Sequence, residues 1–141
     1  MTHNLYNHES YFTHYYINKG YISHQEAIGL QKQSQVLLLI EIDSEETQGI
    51  IPGKLFEYMI SGRPILAIGP HNWDVTPILS ETKTGTFVGY TDETLLKRQL
   101  LTHYYQYKNG KLQTTPMNIE KYSRKALTER LAKIIENKLP S

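Results

Sequence analysis

The sequence predicts an α/β fold, a Rossmann-like parallel sheet with flanking helices, and two observations support this prediction. Short apolar runs alternate along the chain with segments of helical periodicity, which is typical of βαβ units and a parallel sheet. The longest apolar run, Val36 to Ile40, is continuous, which predicts a strand covered on both faces. Ligands of such folds bind beyond the carboxyl ends of the strands, so the loops there are the first candidates for a site.

The chain opens with segment 1–14, in which no element is clearly defined. Tyr15–Asn18 is β-prone and predicts a short strand. Ser23, with Glu26 three positions later, forms the pattern of a capping box and predicts a helix to about Ser34.

The middle of the chain predicts a strand, a loop, a helix and a second strand. The strand covers Val36–Ile42 and the polar loop covers Asp43–Pro52. The helix covers Gly53–Ser61, since Pro52 precedes it and Gly62 follows its end. Pro64–Gly69 is then another short buried strand.

Three further elements follow at similar spacing. Asp74 caps a short helix to about Glu81, and Gly85–Tyr90 forms a strand. Thr91 or Asp92 caps a helix that runs to about Tyr107.

The last predicted element is a helix over Ile119–Lys138. Its apolar residues recur at helical spacing and its basic residues fall on the other face. The apolar positions are Leu127, Leu131, Ile134 and Ile135.

Length and composition limit the classes of function. The 141 residues fit one domain, 1–141, and a net charge of +1 gives no global field that would recruit nucleic acid. The absence of cysteine excludes disulfides and thiolate metal sites. The apolar runs are too short to span a bilayer, and the N-terminus does not have the pattern of a signal peptide. We therefore expect a cytoplasmic protein, with a peripheral position at the inner face of the membrane left open.

The helix at Gly53–Ser61 has the pattern of an anion site. Its first turn would present the backbone N–H groups of Gly53, Lys54 and Leu55 at the positive end of the helix dipole, which favours a phosphate. A carboxylate at Glu57 would repel a phosphate but would accept hydrogen bonds from ribose hydroxyls. A nucleoside diphosphate sugar supplies both groups. The alternatives are that Glu57 is a solvated surface residue, or that it forms an i,i+3 ion pair with Lys54.

The same helix should pack on the sheet through one apolar face. Helical spacing assigns to that face Leu55, Phe56, Met59 and Ile60. The opposite face would then carry Lys54, Glu57, Tyr58 and Ser61.

The segment PGKLFEYMISGRPILAIGP, at 52–70, resembles the donor-binding segment of retaining GT-B-fold glycosyltransferases of the "group 1" family. GYISHQEAIGLQKQSQVLLLI resembles the preceding helix and strand, and YSRKALTERLAKII resembles the terminal helix. The similarity runs from about Tyr16 to Ile135. It implies a partial C-terminal domain of a GT-B fold that binds a nucleotide diphosphate sugar without a metal or other cofactor.

The resemblance also implies roles for single residues. Glu57 matches the second glutamate of the family's Glu-x7-Glu motif, which binds the ribose hydroxyls. The first glutamate, which contacts the sugar, falls at Gly49, where this sequence departs from the motif. The loop at Gly20–Ser23, which contains Tyr21 and Ile22, resembles the family's base-binding loop, in which backbone groups bind the base.

Several parts of the family's enzymes have no counterpart in the sequence. These are the N-terminal acceptor domain, and the glycine-rich turn and Arg/Lys pair that neutralise the leaving diphosphate. We therefore expect donor binding without transfer by this chain alone, and the catalytic residues stay unknown. The strand at Val36–Ile42 would have an open edge, which predicts a homo-oligomer. The alternatives are a non-enzymatic, nucleotide-binding or self-associating remnant and a nucleotide-sugar epimerase.

Other polar residues carry weaker signals. The spacing of His3, His8 and His14 does not match a metal site. His71 and Trp73 lie in a loop on the ligand side, where we expect exposure rather than a place in the donor pocket.

Overall fold

Three parallel strands organise the chain: β1 (Leu37–Ile40), β2 (Ile65–Gly69) and β3 (Gly85–Gly89). The computed structural model describes residues 15–138, and within them the strand order is β1-β2-β3. Leu37 lies opposite Ile65, and Ile65 lies opposite Gly85. The predicted α/β fold with a parallel sheet and flanking helices is confirmed.

The described residues also form α-helices and two single turns of 3-10 helix. The turns cover Glu45–Thr47 and Ile119–Tyr122. The helices are α1 (His24–Gln33), α2 (Lys54–Ser61), α3 (Val75–Thr82), α4 (Glu93–Lys108) and α5 (Arg124–Glu136).

The predicted capping signals are mostly confirmed. The Ser23 hydroxyl accepts a hydrogen bond from the Glu26 N–H, and the Glu26 carboxylate accepts one from the Ser23 N–H at 2.9 Å, which completes the capping box. Asp92 caps α4 by accepting from the Leu95 N–H at 2.8 Å. Asp74 is the N-cap residue of α3, as predicted, but its side chain makes no capping hydrogen bond.

The core lies between the sheet and the pair of helices α2 and α3. Leu39 and Ala67 are aligned across the sheet and are fully buried beneath these helices. Each of these helices connects one strand to the next, and the strands follow one another in one direction across the sheet. Because crossovers between parallel strands are right-handed, both helices lie on the same face of the sheet. The remaining buried core residues are Leu55, Met59, Ile65, Trp73, Val75, Ile78 and Leu79.

β1 is covered on one face only, whereas its apolar run predicts cover on both. Leu37 and Leu39 are buried, but Leu38 and Ile40 are 50% and 49% exposed. Because β1 is the edge strand of the described sheet, its side chains on the face opposite α2 and α3 are partly exposed to solvent. The neighbour of Leu38 in β2, Leu66, is buried.

Tyr15–Asn18 is not a strand, and this prediction is wrong. Tyr15, Tyr16 and Ile17 are all strongly exposed. The segment ends in a turn in which the Gly20 N–H donates to the Asn18 side-chain oxygen at 2.8 Å, with Gly20 at a φ of +62°. A short β-prone run becomes a strand only beside a partner, and none of the described strands lies alongside it.

The predicted helix over Ile119–Lys138 is instead two elements. Ser123 has extended backbone angles and its hydroxyl accepts from the Ala126 N–H, so it caps α5 and separates it from the preceding 3-10 turn. Tyr122 then packs against Phe56 of α2, with 6.0 Å between ring centroids. Because of this break, the 3-10 turn at Ile119–Tyr122 packs against α2.

Candidate functional site

Two loops meet at the carboxyl ends of the strands, where ligands of parallel sheets bind. One joins β1 to α2 and the other joins β2 to α3. The Trp73 indole N–H donates to the Ile50 carbonyl at 2.7 Å, and the Asp74 N–H donates to the Gln48 carbonyl at 2.9 Å. These bonds hold the loop before α2 against the loop before α3.

Trp73 holds this junction from inside the core. Its side chain is 1% exposed, so the expectation of exposure is wrong for this residue, while His71 is exposed as expected. The ring fits because Gly69 has no side chain: a Cβ there would lie 2.5 Å from the indole ring. Glycine at the end of an apolar strand, four residues before a tryptophan, is the sequence signal for this packing.

The start of α2 differs in one respect from the prediction. The Leu55 N–H donates to the Pro52 carbonyl at 2.9 Å, so only two of the three predicted amides stay available. The N–H groups of Gly53 and Lys54 have no hydrogen-bond acceptor among residues 15–138. Both residues are exposed and no side chain caps the helix, so this end retains its anion-binding character.

Glu57 lies half-buried in a groove between α1 and α2. Its carboxylate accepts a hydrogen bond from the Gln31 side-chain N–H at 3.4 Å, which is long and therefore weak. The groove has a volume of about 270 Å³. Its lining consists of Ile28, Gln31, Lys32, Glu57, Ile60 and Ser61.

The described residues do not pair Glu57 with Lys54. Among residues 15–138 the ion pair that forms joins Lys121 to Glu81, so the i,i+3 alternative for Lys54 is wrong. The Glu57 carboxylate therefore has a neutral amide as its described partner.

Burial and a neighbouring charge both affect the pKa of Tyr58, the residue after Glu57. Burial raises the pKa of Tyr58, and the neighbouring Glu57 carboxylate raises it further. Tyr58 packs against the core, whereas Ile60 is 73% exposed. The predicted apolar face of α2 is thus wrong at Ile60, because the core reaches α2 through Leu55 and Met59.

The predicted base-reading residues lie on another side of α1. Tyr21 is fully exposed, and Ile22 is half-buried in a cavity of about 310 Å³. That cavity does not include Glu57, Gly53 or Lys54. Its lining consists of Lys19, Ile22, Glu26, Gly29, Leu30 and Gln33.

Asp74 is a candidate that sequence reasoning did not connect to the site. A Cβ at Gly49 would lie 3.9 Å from its carboxylate oxygen Oδ2. Asp74 therefore brings a carboxylate to Gly49 from a different loop. The separation of 25 residues in the chain hides this proximity from any sequence pattern.

Two predictions concern metals and membranes. His3, His8 and His14 lie outside the described residues. In the described part of the chain, no cluster of three or more His, Asp or Glu side chains could hold a metal ion. Across residues 15–138, no helix combines the length and the apolar character needed to cross a membrane.

The loops at the carboxyl edge thus place the Asp74 carboxylate beside Gly49, in the loop that leads into α2. The start of α2 carries two amides without an acceptor among residues 15–138, and Glu57 lies one turn further along. Comparison of the chain with protein-family models, curated proteins and solved structures finds no match. A function must therefore be argued from the residues of this chain.

Proposed function

We propose that this chain is the donor-binding part of a glycosyltransferase and binds a nucleoside diphosphate sugar at the start of α2. The observation that carries the proposal is the pair of amides at Gly53 and Lys54, which have no acceptor within residues 15–138, followed one turn later by the weakly bonded carboxylate of Glu57. The activity of the complete enzyme would be transfer of a sugar from the nucleotide to a glycan or lipid-linked acceptor.

The diphosphate would bind at the amides. They lie at the positive end of the helix dipole, and Gly53 has open space where a side chain would be. The Lys54 side chain, exposed and without an ion-pair partner among residues 15–138, would add a positive charge.

The ribose would bind at Glu57. Four residues of α-helix separate Glu57 from Gly53, a rise of about 6 Å along the axis. That spacing suits two parts of one nucleotide. The 3.4 Å bond from Gln31 is weak, so ribose hydroxyls could replace it with shorter, charge-assisted bonds.

The sugar would then lie toward Asp74. This carboxylate is exposed, makes no capping bond with α3 and lies close to Gly49. It would accept hydrogen bonds from sugar hydroxyls, in place of the glutamate that the resemblance places at position 49. No metal is needed for these contacts.

The test is calorimetric titration of the chain with UDP, GDP, ADP and their sugar conjugates. We expect binding of one diphosphate, with a Kd that rises about tenfold or more in Glu57→Gln, because a charge-assisted hydrogen bond to ribose is lost. Asp74→Asn should weaken binding of the sugar conjugate but leave the diphosphate alone unchanged.

Glu93→Gln is the matched control, since Glu93 is an exposed glutamate in the first turn of α4. It should leave every Kd unchanged. Failure of all these nucleotides to bind, or equal binding by the wild type and Glu57→Gln, would refute the proposal.

A second candidate function is a self-associating module that is not an enzyme. It is favoured by one observation: β1 pairs with β2 alone among the described strands, and its Leu38 and Ile40 side chains are half exposed. An unpaired strand edge is a template for another chain. A tight oligomer that binds no nucleotide would support this second function over the first.

The proposed setting follows from the proposed substrate. We place this binding in the cytoplasm, where a separate acceptor-binding domain would complete the active site. A lipid-linked acceptor would place the reaction at the inner face of the membrane.

A further inference from the structure

The helix α5 has an apolar face that is not used by the described core. None of its residues is buried, and four aliphatic side chains are between 44% and 56% exposed. At about 100° per residue they fall within one stripe roughly 100° wide. These side chains are Leu127, Leu131, Ile134 and Ile135.

Charge is distributed unevenly along the chain. Positions 121–141 hold six basic and two acidic residues, a net charge of +4. The other 120 residues hold nine basic and twelve acidic residues, a net charge of −3. Segment 121–141 is thus basic within a nearly neutral sequence, which favours an anionic partner for that segment.

The charges of α5 are arranged around its apolar stripe. Arg130 borders the stripe, and Arg124 falls in line with the stripe at the first turn of the helix. The opposite, polar face carries two basic and two acidic residues, which are Lys125, Lys133, Glu129 and Glu136. Arg124, Lys125, Arg130 and Lys133 are exposed and make no ion pair within residues 15–138. Their charges are therefore available to an external anion.

We propose that α5 binds an anionic lipid surface and lies in the plane of the interface. An aliphatic stripe opposite a polar face that carries Lys and Arg, on a segment of net positive charge, is the pattern of an interfacial helix. The aliphatic side chains would enter the boundary between headgroups and acyl chains, and Arg130 would extend to the phosphates. A nucleic acid would attract the same charges but would leave the aliphatic stripe in water.

The surroundings of α5 suit this role. Its contacts within the described chain are mainly with the 3-10 turn at Ile119–Tyr122, which is anchored to α3 by Glu81. The helix has 13 residues, about 20 Å of length, and can present its stripe outward without unfolding the core. This inference is independent of the proposed nucleotide site.

The test is co-sedimentation of the full chain with two kinds of vesicle: phosphatidylcholine alone, and phosphatidylcholine mixed with an equal amount of phosphatidylglycerol. We expect binding to the mixed vesicles, little binding to the neutral ones, and a loss of binding at about 0.5 M salt. Leu131→Glu should lower partitioning about tenfold, because it places a carboxylate in the stripe.

Leu100→Glu is the matched control. Leu100, on α4, is 52% exposed, close to the 56% of Leu131, and the substitution makes the same change in net charge. Circular dichroism checks that both variants stay folded. The proposal is overturned if the mixed vesicles bind no protein, if neutral vesicles bind equally, or if Leu100→Glu loses as much binding as Leu131→Glu. Binding to nucleic acid that Leu131→Glu leaves intact, without lipid binding, would also overturn it.

Discussion

The indole N–H of Trp73 donates a 2.7 Å hydrogen bond to the carbonyl of Ile50, and this bond joins the loops that follow two neighbouring strands. Trp73 is buried, so the loop that leads into α2 is fastened to the core itself. The position of the Gly53 and Lys54 amides therefore depends on a bond between two other residues, Trp73 and Ile50.

Trp73→Phe tests this link. The phenyl ring keeps most of the buried apolar contact, but the Ile50 carbonyl loses its donor. We expect the free energy of unfolding in urea to fall by about 1–2 kcal/mol. His71→Ala, in the same loop but exposed, should change it by less than about 0.5 kcal/mol. Equal stability of Trp73→Phe and the wild type would show that the bond does not hold the loop.

Gly69→Ala tests the close packing beneath that bond. The added methyl group would lie 2.5 Å from the Trp73 ring, which must shift to admit it. We expect a loss of about 1–3 kcal/mol in unfolding free energy. Gly53→Ala is the control, because Gly53 has open space at its Cβ position and a φ of −56°. A neutral Gly69→Ala variant would mean that the indole ring has room to move.

The carboxylate of Glu81 predicts a pH dependence of stability. Hydrogen bonds from the Lys121 ammonium and the Tyr122 hydroxyl lower the pKa of Glu81 below its usual 4.5. The contribution of Glu81 to the free energy of unfolding is thus fully present above pH 4.5. It is lost as the pH falls through the lower pKa that Glu81 has in the folded state. The pKa of Lys121 is raised above 10.5 by the same bond, so its contribution is lost only at strongly alkaline pH.

Urea unfolding at several pH values below neutrality measures this effect. We expect a small acid-side loss in the wild type that Glu81→Gln lacks and that high salt reduces, since the pair is exposed. Glu120→Gln, a substitution at an exposed glutamate in the 3-10 turn, should keep the wild-type profile. Identical acid profiles in Glu81→Gln and the wild type would exclude a stabilising role for this pair.

Self-association through β1 is tested by the double substitution Leu38→Lys with Ile40→Lys. Both side chains are half exposed, and paired lysines on an edge strand repel an incoming chain. Light scattering should show an oligomer for the wild type and a dissociation constant raised about tenfold or more by the substitutions. Ile60→Lys, at a more exposed position on α2, should leave the oligomer intact. A wild type that is strictly monomeric in dilute solution would contradict the prediction.

Local patterns were sufficient to predict most of the fold. The capping box at Ser23 and Glu26 depends on atoms three residues apart, and so does the cap at Asp92, so both follow from neighbouring residues alone. The strands ending at Gly69 and Gly89 follow from short apolar runs bounded by turn residues.

Several of the wrong predictions depend on packing that the pattern of the sequence does not encode. Tyr15–Asn18 has the composition of a strand but lacks a described neighbour, and Ile60 has the spacing of a core residue but faces outward. Trp73 is buried only because Gly69 makes room for it. The approach of Asp74 to position 49 likewise depends on how two loops meet, and no periodicity encodes that meeting.

The consecutive strand order has a kinetic consequence. Leu37 pairs with Ile65, 28 positions later, and Ile65 pairs with Gly85, 20 positions later. Each pairing closes a loop of modest length, so the entropy lost before a strand finds its neighbour is small. Each strand can therefore pair with the strand made just before it as the chain emerges from the ribosome, without waiting for a remote segment.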